Sequence, residues 1–139
     1  MARFDTSGLD DLIQDVLGLG DVAEEAGEKM LLAGAEEVKQ AWKDSAEKHK
    51  LRDTGDMIES IDYARKPKNV GGIKSVDIYP QGKNRHGIRN AEVAFVQHYG
   101  TSKLPATHWV DDADDASGPK VQAAMEKIYD EELKQKGLI

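Results

Sequence analysis

Val93-Ala94-Phe95-Val96-Gln97-His98-Tyr99-Gly100-Thr101-Ser102-Lys103-Leu104-Pro105-Ala106-Thr107-His108-Trp109 is the stretch on which the fold turns. Its apolar run reaches Tyr99 and stops at Gly100, the residue type that takes positive φ without a Cβ clash. Leu104-Pro105 then forces an extended turn, and Thr107 is placed to cap a new helix with its hydroxyl. The run has two readings. Asn90 caps a short helix from Ala91 to Tyr99, or Val93, Phe95, Gln97 and Tyr99 alternate as a third strand; we favour the helix. No nucleophile with a base and no metal set is visible. Gly100-Thr101-Ser102-Lys103 lacks the Gly-x-x-x-x-Gly-Lys-Ser/Thr spacing of a phosphate cradle. The stretch reads as an element, a stop and an anchored re-entry: a packing or docking device.

Working upstream, the period changes to that of strands between Ile61 and Tyr79. Ile61 to Lys66 is followed by a turn at Lys68-Asn69-Val70-Gly71-Gly72 and a second strand from Ile73 to Tyr79. Val76 and Ile78 face one way, Asp77 and Tyr79 the other. Two strands are marginal alone, so a third strand or a neighbouring copy is expected to extend the sheet. Pro80-Gln81-Gly82-Lys83-Asn84-Arg85-His86-Gly87 is a polar loop, expected to be mobile and to act as a contact arm.

Helices flank this region. Thr6-Ser7 caps a short one with Leu9, Leu12, Ile13, Val16 and Leu17 on one face, and Gly18-Leu19-Gly20 is expected to break it. Asp21, with Glu24 at the reciprocal position, caps a long helix to about Lys48. Its inward stripe is Ala23, Ala26, Met30, Gly34, Val38 and Ala41, widened by Leu31, Ala35 and Trp42. So many small residues imply close approach to another element. After Trp109, a turn through Asp111-Asp112-Ala113-Asp114-Asp115 suits the helix dipole better than the spaced ligands of a calcium loop. Gly118-Pro119 is expected to restart the helix. Val121, Met125, Tyr129 and Leu133 share a face with Ala124 and Ile128, and Gly137 ends it. The fold class is α+β, a small antiparallel sheet packed against long N-terminal and C-terminal helices. Residues 1–139 are expected to form a single domain.

Asp53-Thr54-Gly55 is also the catalytic tripeptide of aspartic proteases, where two such carboxylates share a proton. Here it follows His49-Lys50-Leu51-Arg52 rather than an apolar strand, precedes Asp56, and occurs once. The favoured reading is local: Asp53 or Thr54 caps one helical turn leading to Ser60. The histidines His49, His86, His98 and His108 lie in four segments without zinc-site spacing. His98 and His108 flank the Gly-Thr loop and can approach in space; structural roles are favoured for them. No catalytic residue, metal ligand or cofactor is assigned.

Composition bounds the rest. Hydrophobic content of 39% against 32% charged describes a polar globule rather than a disordered chain. The absence of cysteine removes disulfides and thiolate metal sites and suits a reducing compartment. Met1-Ala2-Arg3-Phe4-Asp5 lacks the apolar core of a signal peptide, and no run has the length of a membrane span. The net charge of −7 is unevenly spread. Between Arg65 and Asn90, seven cations (Arg65, Lys66, Lys68, Lys74, Lys83, Arg85 and Arg89) face the single acid Asp77, a net +6 that leaves −13 elsewhere. Such a segment binds nucleic acid, docks onto the acidic part of a neighbouring copy, or is simply a solvated hairpin.

The residues around Gly100 carry a resemblance. Phe95-Val96-Gln97-His98-Tyr99-Gly100-Thr101, then Leu104-Pro105-Ala106 and Trp109, resemble the signature of minor structural proteins of long-tailed bacteriophages. These are the neck, head–tail joining or tail-completion proteins, of the lambdoid HK type. Thr54-Gly55, Met57, Ser60 and Ile61 match a second motif of that family, in the right order after a long helix. Gln97-His98 replaces the family's acid before the aromatic, and Thr107-His108-Trp109 replaces its Arg-Pro-Phe, so no salt bridge is expected between those positions. The resemblance implies a non-enzymatic virion component at the head–tail junction, assembled in the bacterial host cytoplasm. Its implied partners are a head connector or tail terminator or tube and further copies of itself, a ring among the forms. DNA contact would be channel lining only, with no membrane. Partner and assembly candidates are Lys83, Arg85, Arg89, Tyr99, Gly100, Thr101 and Trp109; Asp53, Thr54, Gly55 and Ser60 form the structural motif. The alternatives are a nucleic-acid-binding module using the basic 65–90 segment, and an aspartic-protease-like hydrolase at Asp53.

Overall fold

The computed structural model describes residues 9–137, with side chains from residue 24 onward. Helix α1 (Leu9–Lys48) is followed by a single turn, α2 (Asp56–Glu59), and four short strands: β1 (Ile61–Tyr63), β2 (Lys68–Val70), β3 (Ile73–Ser75) and β4 (Ile78–Pro80). Two helices complete the chain, α3 (Asn90–Tyr99) and α4 (Trp109–Gln135). The class is α+β, with α1 and α4 packed along each other and β1 and β4 against α1. No described helix is long and apolar enough to cross a membrane.

Gly18-Leu19-Gly20 does not break the first helix: α1 runs through it, so Asp21 opens nothing. Each glycine costs only about 1 kcal/mol relative to alanine inside a helix, too little to force an end. The Thr6-Ser7 cap lies outside the described residues, as do the side chains of Leu9 to Leu17 and Ala23. The small-residue stripe does what its composition implies. Ala26, Gly34, Ala35 and Ala41 are buried, and an added Cβ at Gly34 would lie 3.0 Å from Met125 Cε and 3.2 Å from Val121 Cγ1 on α4.

Helix α4 is likewise continuous, with Pro119 inside it rather than at a restart. Proline normally disfavours the α conformation in the residue before it, by clashing with that residue's Cβ. Gly118 has none. Thr107 is not the cap either; His108, in the left-handed region at φ 52°, holds that position.

The expected single sheet is two ribbons. β1 pairs antiparallel with β4, Asp62 opposite Tyr79, and β2 with β3, Asn69 opposite Lys74. Residues 64–67 lie between the paired segments of the outgoing arm and only 76–77 in the returning arm, so the ladder cannot continue across the junction. Pro67, with no N–H to donate, sits in that gap. No third strand joins either ribbon among the described residues. The Val93–Tyr99 stretch is helical instead, and the ribbon is stabilised by helix packing. Ile61 and Tyr63 are buried against α1, where the Tyr63 hydroxyl donates to Glu36 Oε2 at 2.6 Å. Burial, then Glu36, pushes the Tyr63 pKa up to about 12.

The core gathers where all these elements meet, at the C-terminal half of α1. Ala46, Met57, Ile58, Ile61, Ala94 and Trp109 form it, with Trp42, Leu51, Ile78, Val93 and Val110 packed around. Trp42 and Trp109 meet edge to face at 5.5 Å, an arrangement favoured by the ring quadrupoles.

Candidate assembly surface

Helix α3 ends because Gly100 turns out of it at φ 76°, ψ −179° while donating its N–H to Val96 O. A Cβ there would lie 2.6 Å from both Ala106 N and Leu104 O, so the returning chain can lie against α3 only because residue 100 lacks one. Thr101 closes the short loop. Its carbonyl and amide pair with Leu104, and its hydroxyl accepts from Lys103 N and Leu104 N. The chain then runs back along the end of α3. Thr107 N and Oγ1 both donate to Gln97 O, and His108 N donates to His98 O.

The buried His98 ring then supports the first turn of α4, accepting at Nδ1 from Val110 N–H at 3.3 Å. This satisfies one of the donors that a helix start leaves unpaired. The positions at which the sequence departs from the resembled pattern therefore join α3 to α4 through backbone bonds, the Thr107 hydroxyl, the His98 ring and the Trp109 indole. His98 and His108 do approach, their rings 5.0 Å apart and nearly perpendicular. With Asp111 they offer three ligand atoms within 4.8 Å of one another. Accepting at Nδ1 places the neutral ring's proton of His98 on Nε2, the nitrogen facing Asp111 at 3.8 Å. Through the bond to Val110, His98 supports the joint. Trp109, an assembly candidate in the sequence, is completely buried, its Nε1 donating to Ala94 O and its carbonyl accepting from Ser45 Oγ. It holds the core.

Asp53-Thr54-Gly55 also takes a different role from the expected cap. Gly55, at φ 88°, is the N-cap of α2, and neither Asp53 nor Thr54 caps it. The Thr54 hydroxyl accepts from Asp56 N–H in a local turn, and Ser60 Oγ donates back to Met57 O. Asp53 is exposed. The acid with a defined electrostatic role is Asp56, which the sequence reading passed over. Arg85 donates to Asp56 from Nε, Nη2 and its backbone N–H at 2.8 to 3.0 Å. These bonds, the guanidinium first, hold the Asp56 carboxyl well below the usual carboxylate range.

The 80–87 loop is therefore organised by its own bonds. Asn84 Oδ1 accepts from His86 N and Ile88 N, Lys83 pairs with Arg89, and Asn90 N donates to Gly82 O. Asn90 is the first helical residue of α3, not its cap, and its amide donates to Gln81 O. Of the seven cations in the basic segment, five face acids of the same chain. Arg65 meets Asp62, Lys68 Asp77, Lys74 both Glu24 and Glu28, Arg85 Asp56, and Arg89 Glu92 at 3.8 Å. Among the described residues only Lys66 and Lys83 lack such a partner.

The surface left open is apolar. A groove of about 300 Å³ runs between α3, β4 and the start of α4, lined by Trp42, Tyr79, Pro80, Phe95, His98 and Tyr99. Phe95 and Tyr99, one helical turn apart, meet at 4.7 Å with their rings tilted yet remain 63% and 60% exposed. Aromatics this open do not belong to the core. Tyr99 was among the sequence candidates. Phe95 and Tyr79 were not, although the helical spacing of Phe95 and Tyr99 pairs them once α3 is read as a helix.

Residues 10–105 match the family model described as "Bacteriophage HK97-gp10, putative tail-component". No curated protein and no solved structure matches the chain. The matched region ends just before the α4 residues that complete the core.

Proposed function

The chain belongs to the HK97-gp10-like family of bacteriophage tail components, and from that premise we propose that it is a non-enzymatic structural protein of the head–tail junction. In this reading it is a neck or tail-completion component of the virion, assembled in the host cytoplasm. Its neighbours are a head connector on one side and a tail terminator or tube on the other, with further copies of itself, arranged as a ring, around the axis. The observation that supports contact work is the exposed Phe95–Tyr99 pair on a joint braced by Gly100 and Thr101. Lys83 and Arg89, exposed on the neighbouring 81–89 loop, are further contact residues in this reading. Arg85 serves it indirectly, by holding the loop to Asp56. DNA contact is limited to lining the channel, because most of the basic segment is already paired within the chain.

Deletion of the gene from its phage tests this reading. Electron micrographs of the lysate are expected to show DNA-filled heads and separate tails, and complementation by the wild-type chain is expected to restore joined particles that contain it. Infectious, joined particles from the deletion phage would overturn the proposal.

A further inference from the structure

The tip of the β2–β3 hairpin is as open as the groove, and of matching chemistry. Val70 and Ile73 are cross-strand partners flanking Gly71-Gly72, so their side chains form one apolar knob, 69% and 71% exposed. A solvated hairpin tip is ordinarily polar, and two β-branched residues there stay mostly uncovered by their own chain. The arms behind the knob carry Lys66 and Lys68, and Lys66 has no acidic partner among the described residues. The groove has the complementary character. Its floor and walls are aromatic and aliphatic, and Asp111, on its rim, begins a run with Asp112, Asp114 and Asp115, all exposed on the first turns of α4.

The two features cannot meet within one chain. Lys74, next to the knob, is bonded to Glu24 and Glu28 of α1, whereas the groove is lined by Trp42. Glu24 and Trp42 are separated by eighteen residues of helix, about 27 Å at 1.5 Å per residue. A knob and a groove at different places on the same subunit form a heterologous contact, the kind that propagates head to tail and closes when the rotation allows.

We propose that the Val70–Ile73 knob of one copy seats in the Phe95–Tyr99 groove of the next, with Lys66 meeting the α4 aspartates. The inference rests on the reading of that groove as an assembly surface, and names its occupant as a second copy of this chain. The absence of cysteine makes a direct test available. Ile73→Cys and Tyr99→Cys proteins, mixed and oxidised, are expected to give a cross-linked heterodimer that neither forms alone to a comparable extent. Val70→Asp in the Ile73→Cys protein is expected to reduce the yield at least tenfold with little change in its melting temperature, because Val70 is 69% exposed and lies outside the core. By sedimentation velocity the wild-type chain is expected to associate as concentration rises, while a Val70→Asp/Ile73→Asp protein remains monomeric. Absence of the mixed cross-link, its persistence with Val70→Asp, or equally strong cross-linking of Tyr99→Cys with itself would overturn the contact. These measurements use purified protein. A negative result therefore removes the knob-in-groove contact and leaves the head–tail role to the deletion phage, whose outcome is read separately.

Discussion

At Gly100 two demands coincide, a positive φ and a returning backbone 2.6 Å from where a Cβ would be. Either alone disfavours a side chain; together they leave no rotamer escape, since the atoms met are main chain. Gly100→Ala is therefore expected to lower unfolding free energy by about 1–3 kcal/mol. Gly27, in the interior of α1 with nothing within 4 Å of an added Cβ, is the opposite case. Gly27→Ala is expected to raise stability by about 0.4–1 kcal/mol through reduced freedom of the unfolded chain. Denaturant unfolding of both variants checks the pair, and equal effects would show that neither backbone geometry nor crowding distinguishes them. Thr54-Gly55 carries a similar lesson. The glycine, not the threonine or aspartate, starts the following turn, and its site is crowded by Arg52 Nη1.

A four-residue helix has too few internal bonds to stand alone, so α2 depends on what holds it. From below, Met57 and Ile58 enter the core; from outside, Asp56 is clasped by Arg85 of the 80–87 loop. The clasp makes a pH-dependent contribution whose sign follows from Asp56. Its folded pKa lies below the unfolded value because the Arg85 guanidinium, then the Arg85 N–H, bonds the carboxylate. The contribution is thus fully present above about pH 4, the ordinary carboxylate range, and is lost as pH falls toward the folded value. Asp56→Asn is expected to lower the melting temperature at pH 7 and to flatten its fall below pH 4. Parallel acid limbs for variant and wild type would mean that other carboxylates carry the dependence. The same clasp makes charge reversal at Arg85 a poor probe of partner binding, because the loop would be released from α2 along with any partner.

For the molecule as a whole, the family match ends at residue 105 while the core does not. Trp109 and Val110 enter that core, and α4 packs along much of α1. We propose that residues 1–139 unfold as one unit. A chain ending at residue 105 is expected to lose cooperative melting and near-ultraviolet circular dichroism, with residual helix in α1; a cooperative transition in that fragment would place the domain boundary where the match ends. What the sequence alone determined was what a single residue or a short period carries: the stop at Gly100 and the small stripe of α1. It also determined the family, because two local motifs stand there in order. Only the tertiary structure decided that Trp109 belongs to the core and not to a partner, that Arg85 answers Asp56, and that the strands form two ribbons. Only there does α4 pass unbroken through Pro119. The reason is one of magnitude. Local signals such as an interior glycine, a capping hydroxyl or an isolated surface charge are worth about 1 kcal/mol. Burying one large side chain among residues far away in sequence is worth about 1.5–3 kcal/mol, so where the two compete, packing decides.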